Sequence, residues 1–360
     1  MSTGSKPRSQ VVSLVMTAAL LVACGNAATS GAASPSATTT GSSTPAAPSS
    51  SASASPSPSR SAAAHPFAGE DAWIAYQTNR SGGEGIWLIR PDGSDDHEIA
   101  LTVPGEHHHP DWSPDGTRLL LTSRTDVDTL YALDVATDEA TVLWECSDPC
   151  VGDDEAAWSP DGTQIVFVRA MTPFVDDVPS CALMIGDPAT GTVEQVGETR
   201  SCYDRETFPH WSRDGTRIVY YRAAFEGEQA VASAVYVFDL ATGDETRLTD
   251  DALMAGDADW TSYDEWIVFS TYPLRDFQCC EVSNLYRIRP DGAGLEPLTS
   301  YETDDLRATQ PRVTPDGEWI LFTSVTTDRR VPMLMAADGG EPIEVVASGI
   351  YTHATWQPGQ

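Results

Sequence analysis

The stretch "HHPDWSPDGTRLLLTSR", from His108 to Arg124, joins a tryptophan, a Ser-Pro-Asp-Gly turn and an apolar run. Proline fixes φ and glycine accepts positive φ, so this turn between two strand-forming segments predicts a tight β-hairpin. The string recurs along the chain at spacings of 46, 53, 49, 53 and 43 residues. The copies align on Trp112, Trp158, Trp211, Trp260, Val313 and Trp356.

A period of this size, with several short strands in each unit, is typical of a propeller with four-stranded blades. The unit at Trp356 stops at the C-terminus, and "AWIAYQT" from Ala72 offers the strand that it lacks. In the fourth unit Asp264 stands where other units have glycine, and aspartate tolerates the left-handed region. We predict an all-β fold over residues 66–360: a six-bladed β-propeller of four-stranded antiparallel blades, with the ring closed by the N-terminal strand.

The "WSPDGT" units resemble the WD-like repeats of TolB-type six-bladed propellers over about 290 of the 360 residues. The resemblance implies the fold, whereas propellers of one fold host binding, scaffolding and catalysis alike. TolB-type proteins carry an α/β domain before the propeller, where this sequence has a low-complexity segment. A Tol-Pal role is therefore not carried over.

The N-terminus has the order of a secretory signal: Lys6 and Arg8, then an apolar run over residues 11–23. It ends in "LVAC", which resembles the lipobox of bacterial lipoproteins and implies that Cys24 is lipidated and becomes the mature N-terminus. Residues 24–65 are mostly Ser, Ala, Thr, Pro and Gly and predict a disordered tether. We expect residues 1–23 to be a lipoprotein signal peptide and the protein to be anchored on the extracytoplasmic face of the cell membrane.

The charge is concentrated in the predicted propeller, which holds all 53 acidic residues and 18 of the 21 basic ones. Its net charge of about −35 argues against nucleic acid or an anionic membrane surface as a partner. We expect contact with the membrane through the lipid anchor only, and a monomer.

The two rims of the predicted propeller differ. We call the edge with the turns between first and second strands the short-turn rim; its Asp-Gly turns indicate a scaffold. The opposite edge, the long-loop rim, has the predicted loops 145–154, 170–180, 200–207, 223–232, 272–283 and 300–309. Aromatic residues on these loops predict a binding surface. They are Phe174, Tyr203, Phe225, Tyr272, Phe277 and Tyr301.

Six cysteines follow Cys24, all on the long-loop rim: Cys146, Cys150, Cys181, Cys202, Cys279 and Cys280. An even number outside the cytoplasm predicts disulfides that pin loops, with fifteen possible connectivities. Cys181 and Cys202 flank the same predicted hairpin and can meet across it.

One residue in each unit, three before the alignment position, should point into the central channel. These residues are His109, Glu155, Phe208, Asp257, Gln310 and His353. Two imidazoles and a carboxylate at His109, His353 and Glu155, with Asp257 across the ring, could hold a divalent metal. The alternative that we favour is a hydrated polar channel with no cofactor.

The function predicted from these features is a membrane-anchored binding or scaffolding propeller for a protein, peptide or glycan of the cell envelope. One alternative is a metal-dependent enzyme at the channel mouth, similar to polysaccharide lyases; another is a cell-envelope sensor. Propellers of this type also accompany serine peptidases, but the sequence has no "GxSxG" nucleophile elbow.

Overall fold

The structure of the protein is a computed structural model that describes residues 67, 71–175, 178–226, 229–271, 282–302, 307–326, 329–345 and 352–359. The predicted signal peptide, Cys24 and the tether up to residue 65 lie outside these residues, as do Tyr272, Phe277, Cys279 and Cys280. The side chain of Phe174 lies outside them too. Within the described residues no helix has the length and apolar character needed to cross a bilayer.

The described residues form six four-stranded antiparallel sheets, which confirms the predicted six-bladed propeller. Blade 6 contains β1 (Ile74–Thr78), β2 (Gly85–Ile89) and β3 (His97–Glu98), joined at its inner edge by β24 (Thr352–Trp356). Blade 1 contains β4 (Glu106–Trp112), β5 (Arg118–Arg124), β6 (Thr129–Asp134) and β7 (Glu139–Val142). Blade 2 contains β8 (Cys150–Trp158), β9 (Ile165–Val175), β10 (Val178–Asp187) and β11 (Thr192–Ser201).

The remaining blades have the same order. Blade 3 contains β12 (Asp204–Trp211), β13 (Arg217–Glu226), β14 (Gln229–Asp239) and β15 (Glu245–Arg247), and a 3₁₀ turn, Asp251–Leu253, follows it. Blade 4 contains β16 (Ala255–Trp260), β17 (Ile267–Thr271), β18 (Leu285–Ile288) and β19 (Glu296–Pro297). Blade 5 contains β20 (Arg307–Val313), β21 (Trp319–Val325), β22 (Arg330–Ala336) and β23 (Ile343–Glu344).

The ring is closed where β1 pairs with β24, as the sequence predicts. Ile74 pairs with Trp356 and Ala75 with Thr355. The Trp73 and Gln357 main chains extend this seam, since Gln357 N donates to Trp73 O at 2.7 Å. Each inner strand contacts the inner strands on both sides, so the six strands surround one channel.

The repeated turn is held by its own polar side chains. In blade 1, Ser113 Oγ and Thr117 N both donate to Asp115 Oδ1, at 2.6 and 3.1 Å, while Gly116 has a φ of 66°. Blade 4 keeps the positive φ at Asp264, with a value of 55°, as predicted. The turn therefore survives this substitution because its backbone geometry is preserved.

The repeated tryptophans lie between blades. Trp158 packs with Leu120 and Leu130 of the preceding blade, and Trp211 packs against Val166. The Arg118 guanidinium lies 4.6 Å from the centroid of the Trp158 ring. An aromatic ring of this size buries on the order of 150–250 Å², so the tryptophan of each repeat provides much of the contact that joins two blades.

Several of the predicted loops contain strand. Half of the predicted loop 145–154 belongs to β8, and in the predicted loop 200–207 only residues 202 and 203 separate β11 from β12. Two others are extended hairpins. Residues 170–180 and 223–232 continue β9 into β10 and β13 into β14, where Ala170 pairs with Cys181 and Ala223 with Ser233. The expectation of long loops there was wrong because the strands of blades 2 and 3 are 10 or 11 residues long, longer than those of blade 1. β-Branched and aromatic residues favour this extension.

Candidate functional site

Each inner strand contains a bulge at the residue predicted to enter the channel. The pairing register shifts there in all six blades, and the residue has a positive φ of 46–55°. The six are His109, Glu155, Phe208, Asp257, Gln310 and His353. Positive φ is costly for a bulky residue such as phenylalanine, and bulges redirect side chains. The bulges turn four of them, His109, Glu155, Phe208 and His353, toward one small cavity on the channel axis.

Three aromatic rings close the channel at this level. The His109 ring centroid lies 4.6 Å from that of His353 and 5.0 Å from that of Phe208, and Phe208 stacks on His353 at 5.2 Å. The remaining cavity is about 10 Å³, enough for about one water molecule. The expected open, hydrated channel is therefore blocked by a plug of His109, Phe208 and His353.

Hydrogen bonds around the channel fix the plug. Glu155 Oε2 accepts Phe208 N at 3.0 Å, and Gln310 Oε1 accepts His353 N at 3.0 Å. In both cases the side chain of one bulge residue satisfies the main chain of the bulge residue in the next blade. His109 is held by Asp154, whose Oδ1 lies 2.8 Å from His109 Nδ1.

An ionic network lies on the long-loop side of the plug. His108 Nδ1 lies 3.0 Å from Glu84 Oε2, and Arg124 Nη2 lies 3.2 Å from Asp154 Oδ2. Arg124 Nε also lies 3.7 Å from Asp128 Oδ2. Burial, reinforced by the neighbouring Asp154 carboxylate, raises the pKa of Asp128 to about 7. The network therefore joins blades 6, 1 and 2 on this side of the plug.

The predicted metal ligands come together only in part. His109 and His353 are neighbours, but His109 Nδ1 is engaged by Asp154 and His353 Nε2 lies 2.9 Å from Gln310 Nε2. Glu155 Oε2 is engaged by main-chain and side-chain donors of blade 3, and Asp257 Oδ2 accepts Ser270 Oγ at 3.2 Å. The four residues therefore do not converge on one set of free ligand atoms, although His353 Nδ1 is buried with no hydrogen-bond partner in the described part of the chain.

Elsewhere in the described residues, three side chains of types that can bind a metal lie close together: Cys146, Cys150 and Asp153. There the two sulfurs form a disulfide, so neither offers a thiolate. The second disulfide, Cys181–Cys202, links the two strands of one hairpin, as the spacing suggests. It is buried in the core between blades 2 and 3.

The described aromatic residues of the long-loop rim pack inward. Tyr203, Phe225 and Tyr301 are partly buried against the cores of blades 3, 4 and 5. The largest exposed aromatic residue in the described part of the chain is Tyr263, which is 84% exposed in the first turn of blade 4. Among the described aromatic residues, the most exposed ring therefore lies on the short-turn rim and not on the long-loop rim.

The short-turn side of the plug opens into a cavity of about 280 Å³. Prolines of the repeated turns surround its mouth, and tryptophans line its wall: Pro114, Pro160, Pro315, Pro358, Trp112 and Trp211. Charged and titratable side chains complete the lining: Arg213 is exposed in the turn at the mouth, and Asp111, His210, Asp259 and Arg312 lie further in. Three of these residues, Asp111, His210 and Arg312, also line the small space beside the plug. The inner end of the cavity therefore adjoins the plug, which closes it, and we call it the blind cavity.

Burial controls the titration of the cavity floor. It raises the pKa of Asp111 to about 6, while a hydrogen bond from Trp158 N at 2.9 Å opposes the shift. Burial, and then the positive charges of Arg312 and Arg213, hold the pKa of His210 well below its usual value. The cavity lining therefore combines an imidazole that is neutral at neutral pH with two arginines and two aspartates. The sequence does not predict this site, because the short Asp-Gly turns of this rim are typical of a scaffold.

Comparison with known proteins agrees with the fold. No protein-family profile matches the chain. An uncharacterised protein of Agrobacterium fabrum is 26% identical over 231 residues, which cover 64% of this chain and 70% of that protein.

Two solved structures share the architecture. TolB from Acinetobacter baumannii has a TM-score of 0.62 at 16% identity, covering 80% of this chain and 67% of that chain. A TolB candidate from Agrobacterium tumefaciens has a TM-score of 0.56 at 22% identity, covering 76% of this chain and 88% of that chain. The protein has the fold of the TolB-like six-bladed β-propellers.

Proposed function

We propose that the protein is an extracytoplasmic binding propeller, tethered to the membrane through Cys24, that receives a protein, peptide or glycan partner at the short-turn rim. The blind cavity carries this proposal. It combines prolines and tryptophans with charged side chains of both signs, a lining that suits specific binding of a protruding part of a partner.

The position of the plug supports the choice of rim, because the plug ends the short-turn cavity at the channel axis. On its other side, the ionic network of Glu84, His108, Arg124, Asp128 and Asp154 joins blades 6, 1 and 2. We therefore place the proposed binding surface on the short-turn rim, and not on the long-loop rim that the sequence predicts.

The cavity lining favours binding over covalent catalysis. Its described residues include a threonine, Thr355, but no serine or cysteine that could act as a nucleophile. The signal-like N-terminus, the lipobox-like "LVAC" and the acidic propeller support an envelope location with the propeller held away from an anionic membrane surface.

Site-specific photocrosslinking in intact cells tests this proposal. A benzoylphenylalanine at Pro315, which lines the cavity mouth, should yield a discrete crosslinked species of higher mass. The control position is Val142, which is 44% exposed on the outer strand of blade 1. A species formed at position 142 but not at 315, or none at either position, would contradict binding at the short-turn rim.

A further inference from the structure

Two arginines in the blind cavity lack carboxylate partners. Among the described residues, neither Arg213 nor Arg312 has an acidic oxygen within 4.0 Å, and both line the cavity. Arg213 Nη2 donates to Val313 O at 3.3 Å, and Arg312 Nη1 donates to Pro311 O at 3.2 Å. The two acceptors flank residue 312 on β20, so both guanidinium groups lie beside the same short stretch of inner strand.

The absence of a carboxylate partner contrasts with arginines such as Arg169, which contacts Asp153 at 2.7 Å, and Arg222, which contacts Glu206 at 3.0 Å. With 53 acidic residues against 21 basic ones, a neutralising carboxylate is the common outcome. Arg213, which is exposed, and Arg312, which is partly buried, donate only to main-chain oxygens among the described residues, so their guanidinium groups retain donors for another anion.

The turn that holds Arg213 is adapted to it. Arg213 stands where blades 1, 2 and 5 have proline, and unlike proline it has a main-chain N–H. This N–H donates to Asp264 Oδ1 at 2.8 Å, and Asp214 N donates to Asp264 Oδ2 at 3.0 Å. Two departures from the repeat, Arg213 in blade 3 and Asp264 in blade 4, thus form one unit that fixes the backbone from which this arginine reaches across to blade 5.

We propose that Arg213 and Arg312 form a carboxylate-binding site inside the blind cavity, which takes an acidic group carried by the partner. This inference rests on the proposed binding at the short-turn rim and names the chemistry recognised there. A carboxylate accepts two parallel N–H donors from a guanidinium, and the tryptophan and proline edges at the mouth suit an apolar body behind it.

The other charged groups of the cavity shape the selectivity of this site. Asp111 Oδ2 accepts Trp158 N and Asp259 Oδ2 accepts Val313 N, so each aspartate is anchored to the next blade in the ring. Their charges offset the two arginines, and His210, whose Nε2 is buried without a hydrogen-bond partner in the described residues, stays uncharged. The site is therefore suited to one anionic group and not to a polyanion.

Calorimetric titration of the full-length protein with benzoate and benzamide tests the site. The two probes share a shape and differ in charge, so benzoate should bind about tenfold more tightly or better. Arg312→Gln and Arg213→Gln should each weaken benzoate binding about tenfold and leave benzamide unchanged. Arg330→Gln, on β22 away from the cavity, is the control and should bind benzoate as the parent does.

Equal affinity for the two probes, no benzoate binding, or full binding by both arginine variants would overturn the carboxylate site. Circular dichroism of each variant shows whether the fold is retained. If benzoate does not bind while the crosslink at position 315 forms, the rim binds a partner but does not recognise a carboxylate through Arg213 and Arg312. If benzoate binds while the crosslink is absent, the cavity recognises a carboxylate but the proposed partner binding is wrong.

Discussion

The imidazole of His109 in blade 1 lies against that of His353 in blade 6, with ring centroids 4.6 Å apart and an interplanar angle of 72°. This contact crosses the seam at which the last blade meets the first. Phe208 of blade 3 touches both rings, so the three side chains span the channel. The plug thereby ends the short-turn cavity at the channel axis.

The engaged nitrogens of the plug predict weak interaction with divalent metals. We expect protein purified without added metal to be metal-free, and zinc, manganese or calcium to leave its melting temperature unchanged. Elemental analysis and thermal melts measure this. Any imidazole ligation would weaken as the pH falls through about 6.5, because coordination needs the neutral ring.

The contrary result for the metal prediction would be a stoichiometric metal that is lost in a His109→Ala/His353→Ala double variant. His97→Ala is the matched control, because His97 is exposed on β3 and outside the plug. Loss of metal in the double variant alone would favour the metal-dependent lyase-like alternative.

Ring closure predicts that the first strand supports the whole propeller. Deletion of residues 66–80 removes β1 and exposes the inner strand β24, whose residues Thr355 and Trp356 pair with it. We expect the parent segment 66–360 to fold alone in one cooperative transition, and the deletion variant to aggregate or to unfold at a much lower temperature. Melting of the deletion variant at the temperature of the parent would refute closure by β1.

Lipidation predicts the cellular fraction of the protein. Cys24→Ala should release the protein from the membrane or leave an uncleaved precursor, because the acyl chains on Cys24 are the proposed anchor. Membrane fractionation and intact mass measure the two outcomes, with Cys146→Ala as a cysteine control within the propeller. A mature protein that begins elsewhere and carries no lipid would contradict the proposed anchoring.

The raised pKa of Asp111 predicts a pH-dependent gain in stability for Asp111→Asn. Its folded pKa, about 6, exceeds the ordinary value, so the folded state favours the protonated acid and ionisation costs stability above pH 6. Asparagine still accepts Trp158 N. The variant should therefore be more stable by about 1–3 kcal/mol at pH 8, a gain that disappears toward pH 4. Urea unfolding at both pH values measures it, and an equal gain at both would contradict burial as the cause.

The repeat made the architecture predictable, because turn chemistry and interblade tryptophans are local features of the sequence. The positions of the six bulge residues followed from the alignment, so His109 and His353 were expected to be neighbours. Their ring orientations were not predictable, since they depend on Asp154 and Gln310 in other blades. The cavity was missed for a related reason: Arg213 and Arg312 are 99 positions apart and meet only through the curvature of the ring.

Amide hydrogen exchange tests the choice of rim most directly. The full-length protein would be compared alone and with the partner captured through position 315. The account predicts slower exchange at the amides of the short-turn rim, such as Gly116 and Gly162, and unchanged exchange at the hairpin ends of β9, β10, β13 and β14. Protection confined to those hairpin ends, with no change at the turn amides, would contradict the account.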